Sequence, residues 1–241
     1  MTTTPDLWHH YGRAHTERDR AVPGAFRWTW GQDDGPGAEV LGELRGRVVG
    51  GLGAGAARQA AHLAVHHEPA RVVAVDASPA PYELGTGLFP RLAPRLLIVR
   101  SDAVCHLEAA RNTYDVLYSV FGAVDFTDPR TLLPPPAAAL RPGGRLAFAT
   151  LAPCLNSAPA QEDVMAAGMP AKTPEGEETT MRRWVLQDQV WVKALDAAGF
   201  AGITVDTFRD ERRPRVGSHP AGDRRTALLT GLVGRSGIPV R

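Results

Sequence analysis

The chain has 241 residues, with 27 Lys and Arg against 26 Asp and Glu, and a formal charge of +1. That length accommodates one large α/β domain with a substantial core, and the balanced charge argues against nucleic acid as a partner. Cys105 and Cys154 are its only cysteines, too isolated for a disulfide scaffold or a CxxC zinc site, which fits a reducing cytoplasm.

The N-terminal stretch MTTTPDLWHHYGR has no basic end followed by an apolar run, so no signal peptide is read there. No apolar segment nears the roughly 18 residues needed to cross a bilayer, and no membrane partner is expected. Trp8, Tyr11 and His15 fall at i, i+3 and i+7, one side of a helix starting near Pro5. In AVPGAFRWTW, Phe26, Trp28 and Trp30 alternate as on one face of an extended segment. GAEVLGEL then predicts a short helix. Residues 1–44 thus read as an N-terminal cap.

A regular alternation follows in residues 45–151. RVVGGLG and RVVAVDA predict buried strands separated by the helix GAARQAAHLAVHH. A broken helical stretch, YELGTGLFPRL, leads to the strand RLLIVRSDA, the short helix VCHLEAARN and the strand YDVLYSVFGA. DPRTLLPPPAAAL predicts another helical segment with its prolines at the start, and RPGGRLAFATL a fifth strand. Strands alternating with helices at this spacing predict a doubly wound, Rossmann-like parallel sheet. Residues 152–182 lack periodicity and read as a lid or substrate loop. In 183–241, QDQVWVKALDAAGF predicts a helix, and GITVDTFRD and DRRTALLTGLV the last strands.

The turn after the first strand carries chemistry. Gly51, Gly53 and Gly55 remove side chains where backbone must bend and approach a ligand. The helix behind the turn offers free N–H groups to an anion. Asp76 ends the second strand, where a carboxylate can accept from both ribose hydroxyls, with Ala77 beside it. Turn and acid together imply an adenosine-bearing cofactor.

GLGAGA satisfies the dinucleotide pattern G-x-G-x-x-A, so an NAD(P)-dependent oxidoreductase is one reading. Three features favour S-adenosylmethionine. A long aromatic-rich segment precedes the first strand. Asp102 in SDA ends the third strand, where an acid can accept from the adenine amino group. YDVLYSVFGAVDF followed by LRPGGRLAFAT then occupies the fourth and fifth strand positions. With these motifs the chain resembles the class I S-adenosylmethionine-dependent methyltransferases of small-molecule type, clearly over residues 40–150.

The resemblance implies a seven-stranded sheet whose last strand runs antiparallel. It also implies that Gly51, Gly53 and Gly55 approach the methionine end of the cofactor and that Asp76 holds the ribose. Asp102 and Ala103 would flank the adenine, and Ser119 and Val120 would line the wall near the sulfonium. The family usually has an acid at the start of the glycine motif, where this chain has Gly51, and often a further glycine where it has Ala57. Some proteins of this fold keep the cofactor yet catalyse cyclisation or act as binding partners, and that reading stays open.

The expected reaction is methyl transfer to a small natural-product-type acceptor, oxygen first, then nitrogen or carbon. A base is needed only where the attacking group is protonated. His10, His15 and Asp125 are the candidates, and Tyr11 shares the Trp8–His15 face and could close over the cofactor. Trp28, Trp30 and Phe121 either wall an aromatic pocket or pack the core, and Arg183 either meets an anionic substrate or lies in solvent. His62, His66 and His67 lack a carboxylate or cysteine at ligand spacing, so no metal is expected. A homodimer stays open.

Overall fold

A computed structural model describes residues 7–9, 21–30, 34–152, 159–209 and 225–234. After a short 3-10 turn at Ala38–Leu41, the chain runs β1 (Val48–Leu52), α1 (Arg58–His66), β2 (Arg71–Asp76), α2 (Pro79–Leu88) and β3 (Leu96–Arg100). It continues through α3 (Ala103–Glu108), β4 (Tyr114–Val120), α4 (Ala123–Phe126), α5 (Pro129–Leu132), α6 (Pro134–Ala139) and β5 (Leu140–Leu151). The last elements are β6 (Ala167–Lys172), β7 (Glu178–Arg183), α7 (Asp188–Ala197), β8 (Phe200–Arg209) and β9 (Arg225–Val233).

Seven strands form one sheet in the order β3-β2-β1-β4-β5-β9-β8. The first five are parallel, and β9 runs antiparallel between β5 and β8. Strand order therefore reverses between β1 and β4, which creates a crevice at their carboxyl ends. This is the Rossmann-like sheet expected from the alternation of buried strands and helices.

Both faces of the sheet are covered, which explains the nearly unbroken apolar runs of β1, β2 and β4. Ala60, Ala61, Leu63 and Ala64 of α1 are buried beside Val49, Val72, Ala74 and Tyr118, together with Phe26 and Trp28 from the N-terminal strap. Small side chains on α1 let it lie close to the strands. On the opposite face Leu52, Val75, Leu117 and Phe148 pack with Trp184, Trp191, Leu195 and Phe200. Local chemistry sets the helix starts: Asp102 accepts from the Val104 and Cys105 amides at the head of α3, while prolines open α2, α5 and α6.

The stretch expected to be an aperiodic lid holds a β-hairpin. Strands β6 and β7 pair antiparallel, with Met169 opposite Met181 and Ala167 opposite Arg183. Gly176, at φ 93°, makes the turn that Thr173 and Glu177 close. Its inward positions alternate Ala167, Met169 and Ala171 on β6 with Thr179, Met181 and Arg183 on β7. The signal was period two, but short residues, threonine and arginine carried it in place of a run of large apolar side chains.

Candidate active site

The glycine turn is built by close backbone approach. Gly53 and Ala54 both donate their amides to Val75 O, at 2.9 and 3.0 Å, which ties the turn to the end of β2. Gly53 has φ 67°, and a Cβ there would lie 2.2 Å from the Ala123 amide nitrogen. Its counterpart is Gly122, where a Cβ would lie 2.5 Å from Leu52 O and 2.6 Å from Gly53 O. Two glycines thus let the loops after β1 and β4 touch backbone to backbone at the topological switch. Gly122 was missed in the sequence; the FGA that follows the YDVLYSV strand was its only signal.

Gly55 differs from its neighbours. It also has positive φ, 56°, yet among the described residues no atom lies within 4 Å of where its Cβ would stand. Its amide donates to Asp76 Oδ2 at 2.7 Å, and the Ser78 amide donates to Oδ1 at 2.9 Å. Backbone donors thus orient the carboxylate at the mouth of the crevice. Open space above Gly55 beside an oriented carboxylate fits a ribose-bearing ligand. Asp102 is exposed, with Oδ1 on the α3 amides, Ala103 behind it is buried, and Ala77 is exposed next to Asp76.

Two expectations along this crevice change. Gly51 lies within β1, where a Cβ would come 2.6 Å from Tyr118 Oη. Packing against the buried Tyr118 ring accounts for that glycine, so close approach to a ligand is not what requires it. The Tyr118 hydroxyl has no hydrogen-bond partner among the described residues, and burial pushes it above the ordinary phenol range. Ser119 was expected to line the wall near the sulfonium, but it is buried. Its Oγ donates to Leu52 O at 2.9 Å and accepts from the Val124 amide at 3.4 Å, bracing the ends of β1 and β4. Val120 is half-buried at the strand end. Ala57 takes the left-handed conformation at the head of α1, φ 56°, where the resembled family often has glycine.

Beyond β4 the chain folds into a cover of aromatic rings around one ion pair. Phe121 is a non-glycine residue at φ 49°, a strained conformation of the kind that gathers at functional sites. The Trp30 ring meets Phe121 edge-on at 5.0 Å. The Arg183 guanidinium lies 5.0 Å from the Trp30 ring and 5.2 Å from the Phe126 ring, and Trp8 packs edge-on against Phe126 at 4.7 Å. Arg183 Nε donates to Asp125 Oδ2 at 3.0 Å, Nη2 donates to the same oxygen, and Nη1 points at Met169 Sδ, 3.8 Å away. The backbone reinforces the pair: the Trp184 amide donates to Asp125 O at 2.7 Å.

Asp125 is fully buried and Arg183 is 2% exposed. Burial pushes the Asp125 carboxyl above the ordinary carboxylate range, and the Arg183 charge opposes that rise. The Thr150 hydroxyl beside it also favours the charged form.

These contacts correct three expectations. Asp125 is closed off by Arg183, and a general base must reach the proton it takes. Arg183 is neither solvated nor available to an anion, because Asp125 occupies it. Trp28 is wholly buried beside Phe26, with Nε1 donating to Gly37 O at 2.9 Å, so it packs the core and does not wall a pocket. Trp30, Phe121 and Arg183 do come together, with Asp125, from segments far apart in the chain. His10, Tyr11 and His15 lie outside the described residues.

Residues 49–144 match the family model of the methyltransferase domain. No curated protein matches the sequence. Among solved structures, an S-adenosylmethionine-dependent methyltransferase from Mesorhizobium loti is 20% identical at a TM-score of 0.55, over 80% of this chain and 94% of that one. The Burkholderia thailandensis 1,6-didemethyltoxoflavin-N1-methyltransferase, holding 1,6-didemethyltoxoflavin and S-adenosylhomocysteine, is 22% identical at 0.56, over 82% and 74%. The [4+2]-cyclase SpnF is 18% identical at 0.60, over 83% and 79%. The switch-point glycine turn and the oriented acid thus lie inside the stretch that matches the methyltransferase domain, on a fold shared with S-adenosylmethionine-dependent methyltransferases.

Proposed function

We propose that this methyltransferase acts on a small molecule seated between the aromatic strap and the β6–β7 hairpin. Oxygen is the first choice of acceptor atom, with nitrogen and carbon following. The observation that carries this reading is the closed aromatic cover of Trp30, Phe121 and Phe126 beyond the carboxyl end of β4, beside the glycine turn. A flat macromolecular acceptor calls for an open, charged surface, whereas Trp30, Phe121 and Phe126 gather apolar rings there.

S-adenosylmethionine supplies an electrophilic methyl group when bound. Asp76, oriented by the Gly55 and Ser78 amides, would hold its ribose, and Asp102 with Ala103 would flank the adenine. The open side of Gly55 would admit the amino-acid end. The rest of the task is alignment. Well-oriented reactants in intramolecular systems gain roughly 7–11 kcal/mol at best from this source, so a rigid aromatic enclosure is a sufficient principal device. For a hydroxyl acceptor, the base would come from His10 or His15 of the N-terminal segment.

The test is incubation with methyl-labelled S-adenosylmethionine and a panel of phenols, amines and active-methylene compounds, read by mass spectrometry. Label on a panel compound supports the reading, and label found only on protein or nucleic acid overturns it. The fold neighbour that is a [4+2]-cyclase makes a second outcome informative: cofactor bound with no methyl transfer anywhere would favour a non-methylating role.

A further inference from the structure

We propose that the Asp125–Arg183 pair sets acceptor charge: closed on itself behind the aromatic cover, it makes the pocket select molecules without net charge. The proposal rests on the small-molecule reading above and adds the class of molecule.

Arg183 has both Nε and Nη2 on one oxygen of Asp125, so its charge is matched inside the protein. An anionic acceptor could engage it only by releasing Asp125 as a buried unpaired carboxylate, which is strongly unfavourable. A cationic acceptor faces the reverse problem: Asp125 is already neutralised, and a cation could engage it only by releasing Arg183 as a buried unpaired guanidinium. A neutral acceptor breaks nothing.

The pair is not required simply to tether the hairpin. The Trp184 amide already fastens the end of β7 to Asp125 O at 2.7 Å. The ring faces of Trp30 and Phe126 lie 5.0 and 5.2 Å from the guanidinium. Molecules resting on the far side of those rings would therefore sense any charge left unmatched behind them, across a medium of low dielectric. Asp125 and Arg183 act here as specificity residues that work through the wall they back.

The experiment uses the full chain saturated with S-adenosylhomocysteine at pH 7 and three ring-sized probes that differ in charge. Salicylamide is neutral, salicylate anionic and 2-hydroxybenzylamine cationic. Titration calorimetry on the native protein is expected to rank salicylamide at least tenfold tighter than either charged probe. Asp125→Asn leaves Arg183 unmatched and is expected to raise salicylate affinity at least tenfold over native. Arg183→Gln leaves Asp125 unmatched and is expected to do the same for 2-hydroxybenzylamine. The double variant restores neutrality and the native ranking.

A purely structural pair would weaken all three probes alike, with no inversion of charge order. S-adenosylhomocysteine affinity within about twofold of native certifies each variant as folded. Where a single variant does not fold, the native ranking and the double variant decide. A native preference for either charged probe, or no binding of any probe while S-adenosylhomocysteine binds, overturns the proposal. Failure of the small-molecule reading shows separately, as methyl label found only on a macromolecule.

Discussion

The glycine turn and the acceptor cover sit a few residues apart in space and are built on opposite plans. The turn is a single stretch, residues 48–57, completed by Asp76, and its contacts are backbone amides meeting a carbonyl or a carboxylate at 2.7 to 3.0 Å. The cover draws Trp30, Phe121 to Phe126, Met169 and Arg183 from three distant segments, and it is held by side chains. On the proposed reading, cofactor recognition would be written into main-chain geometry and acceptor recognition into exchangeable side chains. The same division lets a fold retain its donor while changing what it methylates.

The sharpest way to break the first plan is Gly53→Ala. A left-handed alanine costs about 1–3 kcal/mol by itself, and the methyl would drive into the Ala123 amide at 2.2 Å. Expected outcomes are a clear drop in denaturant midpoint and at least a hundredfold loss of S-adenosylhomocysteine affinity by calorimetry. An affinity within threefold of native would show that the turn tolerates a side chain.

Breaking the second plan should hurt stability and spare the cofactor. Asp125→Ala strands a buried guanidinium, and loss of one partner of such a pair costs about 3–5 kcal/mol. Urea unfolding should show that loss, with S-adenosylhomocysteine affinity close to native wherever the protein is folded. Equal loss of both would mean that the two regions are one cooperative unit.

A milder comparison separates the two tryptophans. Trp28→Ala opens a cavity in the core and should cost about 3–5 kcal/mol. Trp30→Ala removes a half-buried ring and should cost under about 1.5 kcal/mol, while raising acceptor KM more than it changes kcat. Similar stability losses for the two would place Trp30 in the core as well.

The smallest effect concerns pH, away from both regions. Burial lowers the pKa of His62, whose Nδ1 lies 2.8 Å from Pro23 O, and the nearby His66, His67 and Arg27 charges act in the same direction against the Pro23 carbonyl. Burial also lowers that of His106, whose Nε2 is 2.6 Å from Tyr114 Oη, a hydroxyl itself pushed up to about 12. A histidine with a lowered folded pKa binds its proton more readily when unfolded. Its contribution is therefore intact above the ordinary value of 6.5 and is lost as pH falls through the folded value. Melting temperature should decline from pH 7 to pH 5, and His62→Gln should flatten part of that slope. A flat native profile over this range would contradict the assignment.

The division also explains what the sequence could show. Buried parallel strands such as RVVAVDA announce themselves as unbroken apolar runs, and a glycine turn followed by Asp76 is a pattern within one short window. The roles of Gly51 and Ser119 were misread, because a motif position does not reveal that Tyr118 fills the space above one and that Leu52 O takes the hydroxyl of the other. Asp125 and Arg183 were each singled out, yet 58 residues separate them and nothing in either neighbourhood announces their union. The hairpin that delivers Arg183 alternated its burial with methionine, threonine and arginine, a pattern easily taken for an irregular loop.

Titration of S-adenosylhomocysteine into native protein and Asp76→Ala examines the central assignment most directly. The alanine variant loses the acceptor that orients Gly55 and that, on the proposed reading, would receive the ribose, so affinity should fall at least tenfold while NADH gives no heat with either protein. Equal binding by both proteins, or tight NADH binding in place of S-adenosylhomocysteine, would contradict it.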